Sequence, residues 1–387
     1  MTAMATRGFA AVRRGGIPGR GGRHRKGPSS RVPLAGLGIV VVISTAVAAC
    51  MPPEANEPHA RGAFVDVYLD EGLELCGGQL DSYDDFLLRI FESYAGTQPG
   101  DFRASVHAVR SVENTPCGDY LSCADHGIAW ITQDLGQYHE LVHLMQGYLD
   151  GRSIPSLEEG TAEAFGPLAE LAYAVEQLGT FDAEFLFAEE LTATQYGRAA
   201  VFSRFLLERA GSARYRDFFR AMKDARETGE EVFREEFLDA FDEDFGTVWG
   251  EFVAAPRCAY DYWFCGQPAP VRELPLEVSG VDCEDPDTLG FSDPRAEKTR
   301  GAFRAEKVIR FNLGQDGPVT FELAHSDAYL GRCGTCTNQV PVTLLASFDT
   351  PGMPPLPFDV DLPAGEYVLI LRDGGAGDAL IRAYVAD

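Results

Sequence analysis

Positive charge is scarce in this chain. Its 387 residues hold 33 Lys and Arg against 59 Asp and Glu, and eight of the basic residues fall within residues 1–31, which carry no acid. Beyond that stretch, 25 basic residues face 59 acidic ones, a net charge of −34. A surface of that sign repels nucleic acid and anionic membranes, so no nucleic-acid partner is expected. Repeats and low-complexity tracts are absent outside the N-terminal region, which excludes solenoids and arrays. A second Cys-x-x-Cys is also missing. Cys333-Gly334-Thr335-Cys336 thus lacks a partner pair for a four-cysteine metal site, and no βαβ pattern surrounds it for thioredoxin-like redox work. A structural disulfide is its expected use.

One long uncharged apolar run does occur, Val32 to Ala49, ending in Val47-Ala48-Ala49-Cys50. A basic region, an apolar run and small residues before a cleavage point describe an export signal. Arg13-Arg14 lies too far from the run for a twin-arginine signal. The end of the run resembles the lipobox of bacterial lipoproteins, which implies acylation of Cys50 as the mature N-terminus. The alternative is an uncleaved membrane anchor, since the run is near the spanning limit. Either reading puts the rest of the chain outside the cytoplasm. Eight cysteines remain after Cys50, an even number that argues for disulfides. Cys117 with Cys123 and Cys258 with Cys265 are close in sequence, but eight cysteines permit about a hundred pairings.

Tyr138-His139-Glu140-Leu141-Val142-His143-Leu144-Met145 carries the chemistry. Two histidines four apart stand one turn from each other on one helix face. Both imidazoles can reach a single Zn²⁺ at about 2.0–2.1 Å. Glu140 follows the first histidine and can take a proton from a metal-activated water. Downstream, Pro155-Ser156-Leu157-Glu158-Glu159-Gly160-Thr161-Ala162-Glu163-Ala164-Phe165 reads as a second helix, with a buried side at Leu157, Ala164, Leu168, Leu171 and Ala172. The loop 148–155 is long enough to turn it antiparallel to the first. Glu159 and Glu163 share a face toward the histidines. A competing role for Glu159 is structural: with Ser156 as N-cap, it sits at the capping-box position.

His139-Glu140-Leu141-Val142-His143 followed by Glu158-Glu159-Gly160-Thr161-Ala162-Glu163 resembles the gluzincin metallopeptidases. The resemblance implies Glu159 as third zinc ligand, with Glu163 or Glu158 as alternatives. It also puts Glu163 where an acidic residue holds the first histidine from behind, as a ligating imidazole requires. Gln195 to Gly211 reads as an amphipathic helix closed by glycine. It resembles the gluzincin helix that opens with a tyrosine facing the oxyanion, which puts Tyr196 in that role; ordinary packing is the alternative. The likeness covers roughly residues 130–255. It departs from the aminopeptidases, whose gap between histidine and glutamate is longer and whose edge strand grips a free amine. Gly127–Thr132 is the candidate edge strand, to which an extended peptide adds by backbone hydrogen bonds. His126, just before it, is expected on a surface loop.

The layout follows from these pieces: a lipoprotein signal over 1–50, a tether over 51–62, a metallopeptidase-like domain over 63–266 and a β-sandwich over 271–387. Strands at 63–69, 103–109 and 127–132 around a helix at 81–94, then helices almost without break to 253, make the fold class α+β with a small mixed sheet. Short strands at 307–312, 319–323, 340–346, 366–371 and 379–385 follow, separated by Gly, Pro and Asp. Leu362-Pro363-Ala364-Gly365-Glu366-Tyr367 resembles a stretch of pre-peptidase C-terminal domains, which implies an accessory sandwich. The resulting expectation is an exported, lipid-tethered peptidase with one Zn²⁺ on His139, His143 and Glu159. Glu140 and Tyr196 are its catalytic residues, and a peptide or protein is its substrate. Two alternatives stand beside it: a catalytically inactive surface scaffold with this fold, and a zinc hydrolase of a non-peptide bond.

Overall fold

A computed structural model describes residues 57–111, 115–117, 122–132, 137–166, 182–224, 229–255, 271–292, 305–324, 326–333, 343–346, 356–373 and 380–385. The apolar run before Cys50, Cys50 itself, Leu168, Leu171, Ala172 and the pair Cys258 and Cys265 lie outside them. Among the described residues, no helix is long and apolar enough to cross a membrane.

The fold is α+β. Strands β1 (Ala60–Arg61), β2 (Val65–Leu69), β4 (Ala104–Ala108), β5 (Ser122–Asp125) and β6 (Ile128–Ile131) form a mixed sheet in the order β1-β2-β4-β6-β5, with the short β3 (Glu74–Leu75) outside it. Strands β2, β4 and β6 run parallel, and β5 runs antiparallel to β6. Alternation sets the faces: Val65, Val67, Val106, Ala108, Ala129 and Ile131 point into the core. Helix α1 (Gln79–Ile90) crosses from β2 to β4, burying Gln79, Ser82, Tyr83, Phe86, Leu87 and Ile90, a stripe of helical period. Each large apolar side chain there contributes about 1.5–3 kcal/mol.

Six further helices follow among the described residues: α2 (Gln137–Leu149), α3 (Pro155–Phe165), α4 (Ala193–Ala210), α5 (Ser212–Ala221), α6 (Gly229–Phe241) and α7 (Phe245–Ala254). Aromatic side chains knit the last ones together. Phe218 meets Phe233, Phe237 and Phe241 edge-on at 5.1–5.4 Å, a favourable aromatic geometry.

The C-terminal strands are β7 (Val271–Arg272), β8 (Leu276–Ser279), β9 (Thr288–Leu289), β10 (Phe291–Ser292), β11 (Glu306–Leu313), β12 (Gly317–Ala324), β13 (Ser326–Arg332), β14 (Thr343–Ala346), β15 (Leu356–Leu362), β16 (Gly365–Asp373) and β17 (Leu380–Val385). One sheet runs β14-β13-β16-β11-β7 with β9 beside β11, and the other runs β15-β12-β17-β8. Ile309, Phe311, Leu369 and Leu371 of the first sheet share a core with Val319, Phe321, Ile381 and Ala383 of the second. That shared core makes the pair a sandwich. The first sheet is buried on its other face as well. Val308, Val368 and Ile370 alternate outward and join the core of the helical region, together with Leu289 and Phe291. The run Tyr367-Val368-Leu369-Ile370-Leu371 is apolar at every position because both faces are covered.

Two local expectations change. Strand Ile128–Ile131 is internal, and Ser122–Asp125 is the last strand of its sheet among the described residues. The predicted Ser156 cap does not form. Proline restricts the residue before it to extended backbone, so Ile154 (ψ 151°) is the N-cap and Pro155 opens the helix. Ser156 then lies inside the first turn, and its hydroxyl donates to the Leu186 carbonyl. Of the disulfides, Cys117–Cys123 forms as the spacing suggested, while Cys76 pairs with Cys283 across 207 residues. Cys333 is also disulfide-bonded.

Candidate metal centre

Helix α2 presents both histidines toward α3, which returns antiparallel after a short loop. Two glycines allow the close packing. A Cβ on Gly160 would lie 2.6 Å from the Ser203 hydroxyl and 2.7 Å from the Ala199 carbonyl oxygen of α4. One on Gly166, just past α3, would lie 2.6 Å from the His139 backbone nitrogen. The helix bearing the glutamates is therefore seated against α4 on one side and the start of α2 on the other.

The three expected ligand atoms converge. His139 Nε2 and His143 Nε2 are 3.1 Å apart, and Glu159 Oε2 lies 3.0 Å from the first and 3.2 Å from the second. Donor atoms of a tetrahedral ion with bonds of about 2.0–2.1 Å stand about 3.3–3.4 Å apart. The triangle therefore fits one small cation, and two imidazoles with a carboxylate are a donor set suited to zinc. These residues form the one group among those described that could hold a metal ion. Behind it, His139 Nδ1 lies 3.0 Å from Glu163 Oε2, with only 4 % of the Glu163 side chain exposed. A proton donated there leaves the Nε2 lone pair facing the cation position.

Charge is arranged accordingly. Burial pulls the His139 pKa down, but hydrogen bonds to Glu159 and Glu163 and their charges outweigh it and hold it well above 6.5. Burial pushes the Glu159 carboxyl up, yet attraction to His143 and hydrogen bonds to both imidazoles hold it well below the usual carboxylate range.

Glu158 does not join this face. Its carboxylate accepts from the Ser153 backbone N–H and pairs with Arg152, so it serves the helix start. Tyr196 sits half-buried in the first turn of α4, its ring 6.1 Å from that of His139. Thr192 and Gln195 form a capping box that fixes this turn. His126 lies in the β5–β6 turn with φ of 47° and a side chain 91 % exposed, away from the centre.

One residue near Glu140 was not foreseen. The Ser122 hydroxyl of β5 donates to Glu140 Oε1 at 2.8 Å. The neighbouring Cys117–Cys123 disulfide ties this strand end down. A four-residue strand, Ser-Cys-Ala-Asp, has no clear hydrophobic alternation and gave no signal. Its position at the sheet end next to α2 is what brings Ser122 to the site.

Searches of protein-family models and of curated proteins find no match. Among solved structures, the chain is similar to the pre-peptidase C-terminal domain of a collagenase from Bacillus anthracis, at 13 % identity and TM-score 0.19, covering 30 % of this chain and 94 % of that one. It is also similar to Legionella pneumophila aminopeptidase A in complex with aspartic acid, at 11 % identity and TM-score 0.29, over 79 % of this chain. The match spans only 33 % of the aminopeptidase. A third is Salmonella Typhimurium PliG, a periplasmic lysozyme inhibitor, at 11 % identity and TM-score 0.18, over 30 % of this chain and 97 % of that one. Likenesses this slight define neither a common fold nor a family.

Proposed function

We propose that this protein is an exported, lipid-tethered zinc peptidase of gluzincin type that hydrolyses peptide bonds. The observation that carries the reading is the triangle of His139 Nε2, His143 Nε2 and Glu159 Oε2, with Glu163 directly behind His139. A structural cluster has no need of an acid at position 140 as well.

His139, His143 and Glu159 would hold Zn²⁺, which when bound supplies Lewis acidity and lowers the pKa of water toward about 7. Glu163 fixes the His139 tautomer and orientation. Glu140 accepts the proton of the attacking water and returns it to the leaving nitrogen, the two halves of general acid–base catalysis. Ser122 steadies the Glu140 carboxylate. Tyr196 supplies a phenol to the developing oxyanion. Strand β5 ends its sheet among the described residues and lies beside α2, so an extended peptide pairing with it would pass the Glu140 side of the centre. Export and tethering rest on the signal-like N-terminus and Cys50, and agree with the disulfides.

The test is Glu140→Gln. Peptide hydrolysis should fall by about 10²–10⁴-fold while zinc content and fold are retained. Unchanged hydrolysis in a folded, metal-loaded variant would remove Glu140 from the mechanism. A metal-loaded wild type inert toward a broad peptide library would favour the scaffold or the non-peptide hydrolase.

A further inference from the structure

Helix α1 lies between the C-terminal sheets and the histidine helix, and one buried amide on it touches both. Gln79 is 0 % exposed. Its Nε2 donates to the Tyr138 hydroxyl at 2.9 Å, and its Oε1 accepts from the Gly290 backbone N–H at 2.5 Å. Tyr138 immediately precedes His139 in the first turn of α2. Gly290 lies between β9 and β10, 211 residues from Gln79.

Both ends of this bridge are held. The Tyr138 ring packs against Tyr83 and Phe86 of α1 with centroids 5.4 and 5.0 Å away, and Ser82 Oγ lies 2.7 Å from its hydroxyl. On the other side, residues 74–79 run along 283–292 as a continuous seam. Leu75 pairs with Phe291, and the N–H groups of Cys76, Gly77 and Gly78 donate to the carbonyls of Gly290, Cys283 and Thr288. The Cys76–Cys283 disulfide locks the seam. Its closeness demands glycine: a Cβ on Gly78 would lie 2.4 Å from the Pro286 carbonyl oxygen.

We propose that Gln79 is a positioning residue through which the C-terminal sandwich orients the turn bearing His139. The proposal rests on the zinc reading above. A fully buried site between helix and sheet is ordinarily filled by an apolar side chain. An amide there is kept satisfied only where donor and acceptor both have aimed partners, and its bonds are directional in a way that apolar packing is not. Here one partner sits next to a ligand histidine that must face two carboxylates at 3.0 Å. Ligand geometry of that kind tolerates displacements of only about 0.5 Å. The sandwich is thereby part of the metal centre's support.

The experiment measures zinc affinity of the full chain by chelator competition, with kcat, KM and the metal-free melting temperature alongside. The variants are Gln79→Leu, Tyr138→Phe and the double substitution. Each single variant should weaken zinc about tenfold, as loss of an outer support does, and lower kcat with KM unchanged. The double should be no weaker than the worse single, because both cut one link. Tyr138→Phe keeps the ring and decides the matter if Gln79→Leu fails to fold. Folded variants that bind zinc as tightly as wild type overturn the role of Gln79, however far the melting temperature drops. A wild type that binds no zinc overturns the zinc reading itself, and this role with it.

Discussion

Asp150 follows helix α2 and Glu159 lies in helix α3, nine residues on, and each carboxylate sits between two nitrogen-bearing side chains. Asp150 Oδ1 lies 2.8 Å from Arg216 Nη2 and 2.8 Å from Arg220 Nε, its side chain wholly buried. Glu159 Oε2 lies 3.0 and 3.2 Å from two imidazole nitrogens. The layouts are alike and the chemistry is opposite. A guanidinium never releases its proton and has no lone pair to offer, so the first cluster is permanent glue between α2 and α5. An imidazole can shed its proton and present a lone pair, so the second can exchange a proton for a cation. Burial and proximity alone therefore do not make a metal site; the proton affinity of the nitrogen partner does.

Removing each acid should separate the two most sharply. Asp150→Ala strands two arginines and should cost about 3 kcal/mol of unfolding free energy in urea titrations, with zinc content of the folded protein unchanged. Glu159→Ala should abolish stoichiometric zinc while costing the metal-free protein only about 1 kcal/mol. Equal stability losses in the two variants would dissolve the distinction. Next in size, Glu163→Gln should weaken zinc by about 10–100-fold in chelator competition, since the ring of His139 loses its ionised partner. Ser122→Ala should lower kcat about tenfold, the worth of one hydrogen bond to a charged group, and leave zinc affinity alone.

The smallest effect is a dependence on pH. A raised His139 pKa stabilises the metal-free fold fully below 6.5, and that contribution fades as pH climbs through the raised value. A depressed Glu159 pKa contributes above 4.5 and is lost only as acid reaches the depressed value. The melting temperature of metal-free protein should therefore fall as pH rises above the ordinary imidazole range through His139, and His139→Ala should flatten that slope.

What could be read from the chain follows contact range. The histidine helix and the two glutamates one turn apart lie within 25 residues and obey helical spacing, so their shared face was legible. So were the alternating strand at Val65–Leu69 and the apolar run Tyr367–Leu371 within β16. The Ser156 cap was misread because proline's restriction on Ile154 outweighs the preference of serine for a cap. Ser122 escaped notice because its meeting with Glu140 depends on which strand ends the sheet. Gln79 and Gly290, like Cys76 and Cys283, are joined over more than two hundred residues, and no local pattern records such a pairing.

We propose that His139, His143 and Glu159 hold one zinc ion. Elemental mass spectrometry of carefully purified wild type and Glu159→Ala tests it directly. One zinc per chain in wild type and none in the variant is the predicted result. No zinc in wild type, or a full equivalent retained by Glu159→Ala, would contradict it.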